Sequence, residues 1–322
     1  MLQSPILIDQ NLISGKCPAR PSAGHKGTFG RVLICAGSVG MGGAACMATS
    51  SALRSGAGLV YVLTEKELLS PLLVHCPEAL GLFFEEKTPA ALPASMAAPA
   101  VMTIPLAPAK PGFDAFYSEQ LYGKDACLIG PGIPTSSDKI DSMLRIAAKE
   151  ASHLVLDAGA LSYLASHEEV MQEISARRSR GLSPAALTPH TGEFARFVPG
   201  FTGREIARAG AFAEEKGVIL VLKNNETNVF TPDGKWYSNS VSNSGLAKGG
   251  SGDVLAGLLT GLLAQGMTEE DASVCAVGIH SLAGQYCAKE HGVRAMLPTM
   301  LWQYYDRCFK LLKWEEGMEN DG

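Results

Sequence analysis

A chain of 322 residues with 46% hydrophobic content can fill a sizeable core as one large domain or two small ones, which excludes disorder as its main state. Its 27 basic and 32 acidic residues are spread along the chain and leave a net charge of -5, with no basic stripe to follow a phosphate backbone, so no nucleic-acid partner is expected. The longest apolar run, VLAGLLTGLLAQGM, is interrupted by Thr260 and Gln265 and falls short of the ~20 residues a spanning helix needs, so no membrane segment is expected either.

At the N-terminus, MLQSPILIDQNLISG lacks the basic start, apolar centre and small-residue cleavage site of a secretory signal, and a cytoplasmic location is the expectation. β-type runs then recur: RVLICAG (31–37), GLVYVLT (58–64), DACLIGPG (125–132), HLVLDAG (153–159), AALTPH (185–190) and VILVLKN (218–224). Ala-rich or amphipathic segments of helical length, such as AACMATSSALRSG and IDSMLRIAAKE, lie between them. Several of the strands are apolar throughout, as strands buried on both faces are, so the pattern predicts a doubly wound α/β fold with a mostly parallel sheet. The Pro- and Ala-dense stretch 88–112 reads as an irregular excursion within the domain, not a linker. Pro-Asp-Gly inside 224–239 predicts a hairpin.

Beyond 250 the pattern turns helical, over 253–265, 269–290 and 296–313, and the acidic end 315–322 is expected to fray. There is no internal repeat. The cysteines, at 17, 35, 46, 76, 127, 275, 287 and 308, form no CxxC pair and mostly lie in apolar segments, so reduced, largely buried thiols are expected.

In sheets of this kind ligands bind at the carboxyl ends of strands, and five segments sit there. AGSVGMGGAA (36–45) is neither a GxGxxG fingerprint nor a phosphate-binding GxxxxGK[ST] loop; it is a ligand loop or a glycine-rich turn packed for its own sake. IGPGIP (129–134) is a fixed turn with or without a ligand. In TPHTGE (188–193), Glu193 reaches back as a capping group beside an exposed His190, or His190 touches a ligand. Lys223, closing VILVLK, contacts a nucleotide or is solvated.

SGLAKGGSGDVLAGLL (244–259) is the most informative of the five. Glycines 249, 250 and 252 let successive N–H groups converge on one point, and the helix that follows adds about half a positive charge there, which favours an anion hole. Asp253 is read either as the N-cap of that helix or as a carboxylate that takes the proton of a hydroxyl attacking a phosphorus. Lys248 is left between phosphate contact and solvent.

HKGTFGRVLI, GSVGMGGAA with ALRSGAGLV, IGPG, TPHTGE, the LK turn and NSGLAKGGSGDVLAG occur in the order and spacing of the ADP/ATP-dependent NAD(P)H-hydrate dehydratases, and residues 25–305 resemble that branch of the ribokinase-like superfamily. The resemblance implies one domain over 1–322 and a repair reaction on hydrated NADH or NADPH, driven by ADP or ATP with Mg2+. It implies Asp253 as the base and as a contact to the hydrated cofactor, together with Ala44, Gly132 and His190. Lys223, Asn224, Asn225, Glu226 and Thr227 would line the adenine nucleotide's site, and Gly249, Gly250, Ser251 and Gly252 would hold the transferring phosphate. Glu193 falls near the phosphates or the metal, whose ligands the motifs do not identify.

A homo-oligomer is also implied, and the 25 or so residues ahead of HKGTFG are too few for the epimerase domain that many such proteins carry. Several positions depart from the family pattern. Lys223-Asn224-Asn225 stands for LKG, GPGIP for GPGLG, Asn243-Ser244-Gly245 for NPG, and DAGALS (157–162) for DADALN, with Asp157 kept.

Overall fold

The computed structural model describes residues 4–18, 20–85 and 112–315. Ten strands form one sheet: β1 (Ile6–Leu7), β2 (Arg31–Cys35), β3 (Leu59–Leu63), β4 (Leu80–Leu82), β5 (Ala126–Ile129), β6 (His153–Leu156), β7 (Ala186–Leu187), β8 (Ile219–Leu222), β9 (Thr227–Phe230) and β10 (Trp236–Asn239). Their order is β1-β10-β9-β8-β7-β6-β5-β2-β3-β4. Seven neighbours from β4 to β8 run parallel, and only β9 is antiparallel to both of its neighbours.

Why these strands read as apolar throughout is plain in β2. Val32 and Ile34 enter the core on one face of the sheet while Leu33 and Cys35 enter the core on the other, and all four are buried. Successive side chains of a strand point to opposite faces, so a sheet covered on both sides asks for apolar residues at every position. One core is closed by helices Gly42–Arg54, Ser251–Ala264 and Glu269–Ala295. The other is closed by Phe113–Leu121, Ile140–Glu150, Glu168–Ser175 and Ile206–Lys216.

Two glycines set the closest helix contact. A side chain at Gly257 would begin 2.1 Å from the Ala48 carbonyl oxygen, and one at Gly261 would begin 2.0 Å from Ser55 Oγ. Helix Ser251–Ala264 therefore lies directly on helix Gly42–Arg54, fastened where Ser51 Oγ donates to the Val254 carbonyl at 2.6 Å. This contact brings the N-terminal ends of both helices to the carboxyl edge of the sheet.

The doubly wound, mostly parallel α/β fold and the hairpin follow the sequence reading, and the eight cysteines are free thiols. β1 and β4, only two and three residues long, carry too little pattern to be read from sequence. Of the predicted final helices the first begins two residues earlier, at Ser251, the second begins at Glu269 as expected, and the rest break more often: Gly292, at φ 76°, interrupts the segment 269–295, and Pro298–Leu301 and Tyr305–Leu311 are separate helices. The Pro/Ala excursion and the acidic end fall outside the described residues, apart from Gly112 and Glu315. Among the described residues no helix is long and apolar enough to cross a membrane.

Candidate functional site

A cavity of about 740 Å3 opens beyond the carboxyl ends of β6, β7 and β8, faced by the loop 241–250 and the first turn of helix Ser251–Ala264. It brings together Asp253, His190, Lys223, Asn224, Asn225, Thr227, Gly249, Gly250, Ser251 and Gly252 from separate parts of the sequence. Glu226 is exposed and does not line it; its carbonyl accepts from Asn228 Nδ2 at 2.9 Å. Ala44 and Gly132 lie outside this cavity, against each other, where a side chain at Gly132 would begin 3.0 Å from Ala44 Cβ. Helix Gly42–Arg54 links the two places, because its Met47 packs on Gly250.

The helix begins differently from the capping role open to Asp253 in sequence. Gly250, at φ 99°, takes the N-cap position, and Asp253 is the third helical residue with no capping bond. A left-handed backbone there suits glycine, and it frees the carboxylate from the N–H groups of the first turn. Ser251 Oγ is buried and has no hydrogen-bond partner among the described residues, a polar group left for a ligand. Below it, His280 is buried and its imidazole is pushed down to about 4 by desolvation, so it is neutral at pH 7. Its Nε2–H donates to the Ser251 carbonyl at 3.1 Å, since a carbonyl can only accept.

Burial raises the Asp253 carboxyl to about 7, Asp157 and Glu193 add to the rise, and Lys223 opposes it. A helix N-terminus favours the carboxylate by only ~0.3–1 kcal/mol, less than one pKa unit, so desolvation wins over the dipole. No side chain among the described residues hydrogen-bonds this carboxyl, and a base that titrates near neutrality is half ionised and strong at working pH.

Lys223 reaches into the same space. Its Nζ donates to Asp157 Oδ1 at 2.7 Å, and Thr188 Oγ1 donates to the same oxygen at 2.8 Å. The ammonium lies beside Gly252, where a first side-chain carbon would stand 2.8 Å from Nζ. Asp157, with its side chain only 2% exposed, thus fixes the Lys223 ammonium, and it was not among the candidate residues. DAGALS at a strand end was the available signal. Ala158, which follows it and lines the cavity, holds φ 46° and ψ -111°, a conformation that costs an alanine ~1–3 kcal/mol and clusters at functional sites.

TPHTGE does what the capping account of it requires: His190 Nδ1 accepts from the N–H groups of Gly192 and Glu193 at 3.0 and 3.2 Å, and Glu193 Oε2 accepts from His190 N–H at 2.9 Å. With Nδ1 so engaged, Nε2 carries the proton and lies 3.6 Å from Glu193 Oε2, and both residues line the cavity. Lys248 is resolved as a tether, since its ammonium donates to the carbonyls of Arg294 and Met296.

A mostly parallel sheet, clad on both faces, with a glycine loop at the mouth of a buried helix and an unpaired carboxyl in its first turn, places the chain among the ribokinase-like α/β proteins. A ribokinase-like protein of Enterococcus faecalis superposes with a TM-score of 0.76 at 26% identity, covering 98% of both chains. More narrowly, residues 32–307 match the NAD(P)H-hydrate dehydratase family, and the chain belongs to that family.

The bifunctional NAD(P)H-hydrate repair enzyme of Moorella thermoacetica is 32% identical over 92% of this chain and 52% of its own length. The chain spans about half the length of such curated relatives. The ADP/ATP-dependent NAD(P)H-hydrate dehydratase of Bacillus subtilis, crystallised with ATP and Mg2+, has a TM-score of 0.72 and 25% identity, covering 96% of this chain and 99% of that one.

Proposed function

We propose that this chain dehydrates hydrated NADH and NADPH at the expense of ADP or ATP. Asp253 accepts the proton of the ring hydroxyl as its oxygen attacks the terminal phosphorus of the nucleotide. The phosphate then departs with a ring proton, which regenerates NADH or NADPH and leaves AMP from ADP, or ADP from ATP. The observation that carries the reading is the Asp253 carboxyl, raised to about 7 and facing a cavity edged by Gly249–Gly252 and the Lys223 ammonium. A base near neutrality beside backbone donors is what phosphoryl transfer to an alcohol requires.

In this reading Lys223, Asn224, Asn225 and Thr227 flank the nucleotide, the backbone of Gly249–Gly252 and the Ser251 hydroxyl meet the transferring phosphate, and His190, Ala44 and Gly132 position the hydrated dinucleotide. No cluster of three metal-binding side chains exists among the described residues, a donor set that suits Mg2+ carried mainly by phosphates, with Asp157 and Glu193 as the nearby carboxylates. There the metal would neutralise charge on the phosphates. The same proposal takes 1–322 as one catalytic domain that assembles as a homo-oligomer with itself.

The test is incubation with hydrated NADH and hydrated NADPH, each with ADP or ATP and Mg2+. Return of the reduced-nicotinamide absorbance with at least one nucleotide is expected. No return with either nucleotide would refute the proposal.

A further inference from the structure

Behind the glycine loop, helices Gly42–Arg54, Lys66–His75 and Pro298–Leu301 border a second cavity of about 650 Å3, apart from the site above. Its wall is mainly apolar, with Met47, Leu68, Leu72 and Trp302, and the half-buried Cys46 opens onto it. Cys76, which ends helix Lys66–His75, lies buried beside Cys46. Its Sγ is 3.6 Å from the Cys46 carbonyl oxygen and 3.1 Å from Ser50 Oγ.

The neighbouring Cys46 thiol lowers the Cys76 thiol to about 7 against the opposing effect of burial, with Ser50 assisting, and Cys46 is raised in turn. A second close pair, Cys35 and Cys127, provides an internal contrast: both are fully buried, and burial drives Cys35 well above the usual thiol range. Only the first pair sets a cysteine that lines a cavity, Cys46, beside a partner stabilised as a thiolate, Cys76, which can serve as its base.

We propose that Cys46 and Cys76 are a dithiol oxidation site, which a small peroxide entering this second cavity converts to an intramolecular disulfide. Cys76, as the thiolate, takes the proton of Cys46 as the Cys46 sulfur, the one on the cavity wall, becomes the nucleophile. Cys46 sulfur attacks the peroxide; the O–O bond breaks, a sulfenic acid forms and hydroxide leaves. Cys76 sulfur then attacks Cys46 sulfur, the S–S bond forms and the sulfenic oxygen leaves as water. Two thiols lose two protons and two electrons, and one hydrogen peroxide becomes two waters.

The bond has a path to the glycine loop. Met47, the neighbour of Cys46, packs so closely on Gly250 that a side chain there would begin 2.3 Å from its sulfur. Joining Cys46 to Cys76 moves this turn of helix Gly42–Arg54, and with it the packing beneath Gly250.

Treating the full chain with stoichiometric hydrogen peroxide, alkylating it and locating links by tandem mass spectrometry tests the site. A Cys46–Cys76 link, two hydrogens lighter and reversed by dithiothreitol, is expected. Cys76→Ser should instead leave a sulfenic acid at Cys46 that dimedone traps, and Cys46→Ala should abolish both products. Full alkylation of Cys46 and Cys76 after peroxide, or oxidation confined to the exposed Cys17, would overturn the proposal. The link to the loop is read by ADP titration, expected to weaken several-fold on oxidation and recover on reduction; unchanged affinity in the linked protein overturns that coupling. This arm rests on the nucleotide reading, and absence of ADP binding by the reduced protein counts against that reading alone, because the dithiol is judged by mass.

Discussion

The two ends of β6 each lie against a buried charge, and the surroundings differ in kind. At its start, the Arg177 guanidinium is 1% exposed and donates to the carbonyls of Ser183, Ala147, Ala151 and Ser152 at 2.8–3.0 Å. At its end, Asp157 is bound to Lys223 and Thr188, while the Asp253 carboxyl nearby has charged neighbours, open space and no hydrogen-bond partner among the described residues. Desolvation moves both groups, Arg177 down to about 10 and Asp253 up to about 7. Only the second shift reaches the pH range of catalysis. A charge whose donors are all satisfied stiffens a fold, whereas one left unsatisfied beside a cavity is stored reactivity.

The contrast breaks most sharply at Asp253. Asp253→Asn should lower the repair rate by roughly 10^3-fold, since a positioned base contributes ~10^2–10^4, while ADP still binds in calorimetry. The same change should stabilise the protein at pH 8 by on the order of 2 kcal/mol. The sign follows from a folded-state pKa raised above the unfolded one: the protonated carboxyl's advantage is complete below about 4 and lost as pH rises through about 7. A denaturation midpoint that falls at pH 8 would contradict the buried-carboxyl account.

Arg177→Met should cost roughly 3–5 kcal/mol of stability by stranding buried carbonyls, yet leave the turnover of the folded fraction unchanged. Chemical denaturation and an active-site titration separate the two. If activity per folded molecule fell as well, the division between the ends of β6 would not hold.

Lys223→Met probes the coupling at the open end. Losing the ammonium should weaken ADP binding by about 10- to 100-fold, and it should move the acidic limb of the rate profile upward, because Lys223 is what holds the Asp253 carboxyl down. The smallest effect is that limb in the unaltered protein: activity should rise as pH passes through about 7, when the base loses its proton. A limb at the usual carboxylate range would show that Asp253 is hydrated in solution.

Much of the fold was legible because burial on both faces writes itself into the strands: RVLIC, ACLI and ILVL are apolar without a gap and became β2, β5 and β8. The glycine loop was legible too, since closely spaced glycines ahead of an apolar helix have few structural uses. β1, with both residues exposed, had no such signature. Neither His280, within the segment 269–290, nor Arg177, in the run RRSR, was singled out from the sequence, and both are buried.

What the sequence alone determined was the alternation of elements, the presence of a glycine-rich helix start and Asp253 as the acid in its first turn, because spacing and residue type are local properties. Only the tertiary structure decided that Gly250 and not Asp253 caps the helix, that Asp157 rather than solvent holds Lys223, and that the carboxyl titrates near 7. Those outcomes depend on burial and on distances between residues far apart in the chain. Desolvation and charge–charge energy are fixed by where the fold places each group, and the order of residues does not contain that information locally.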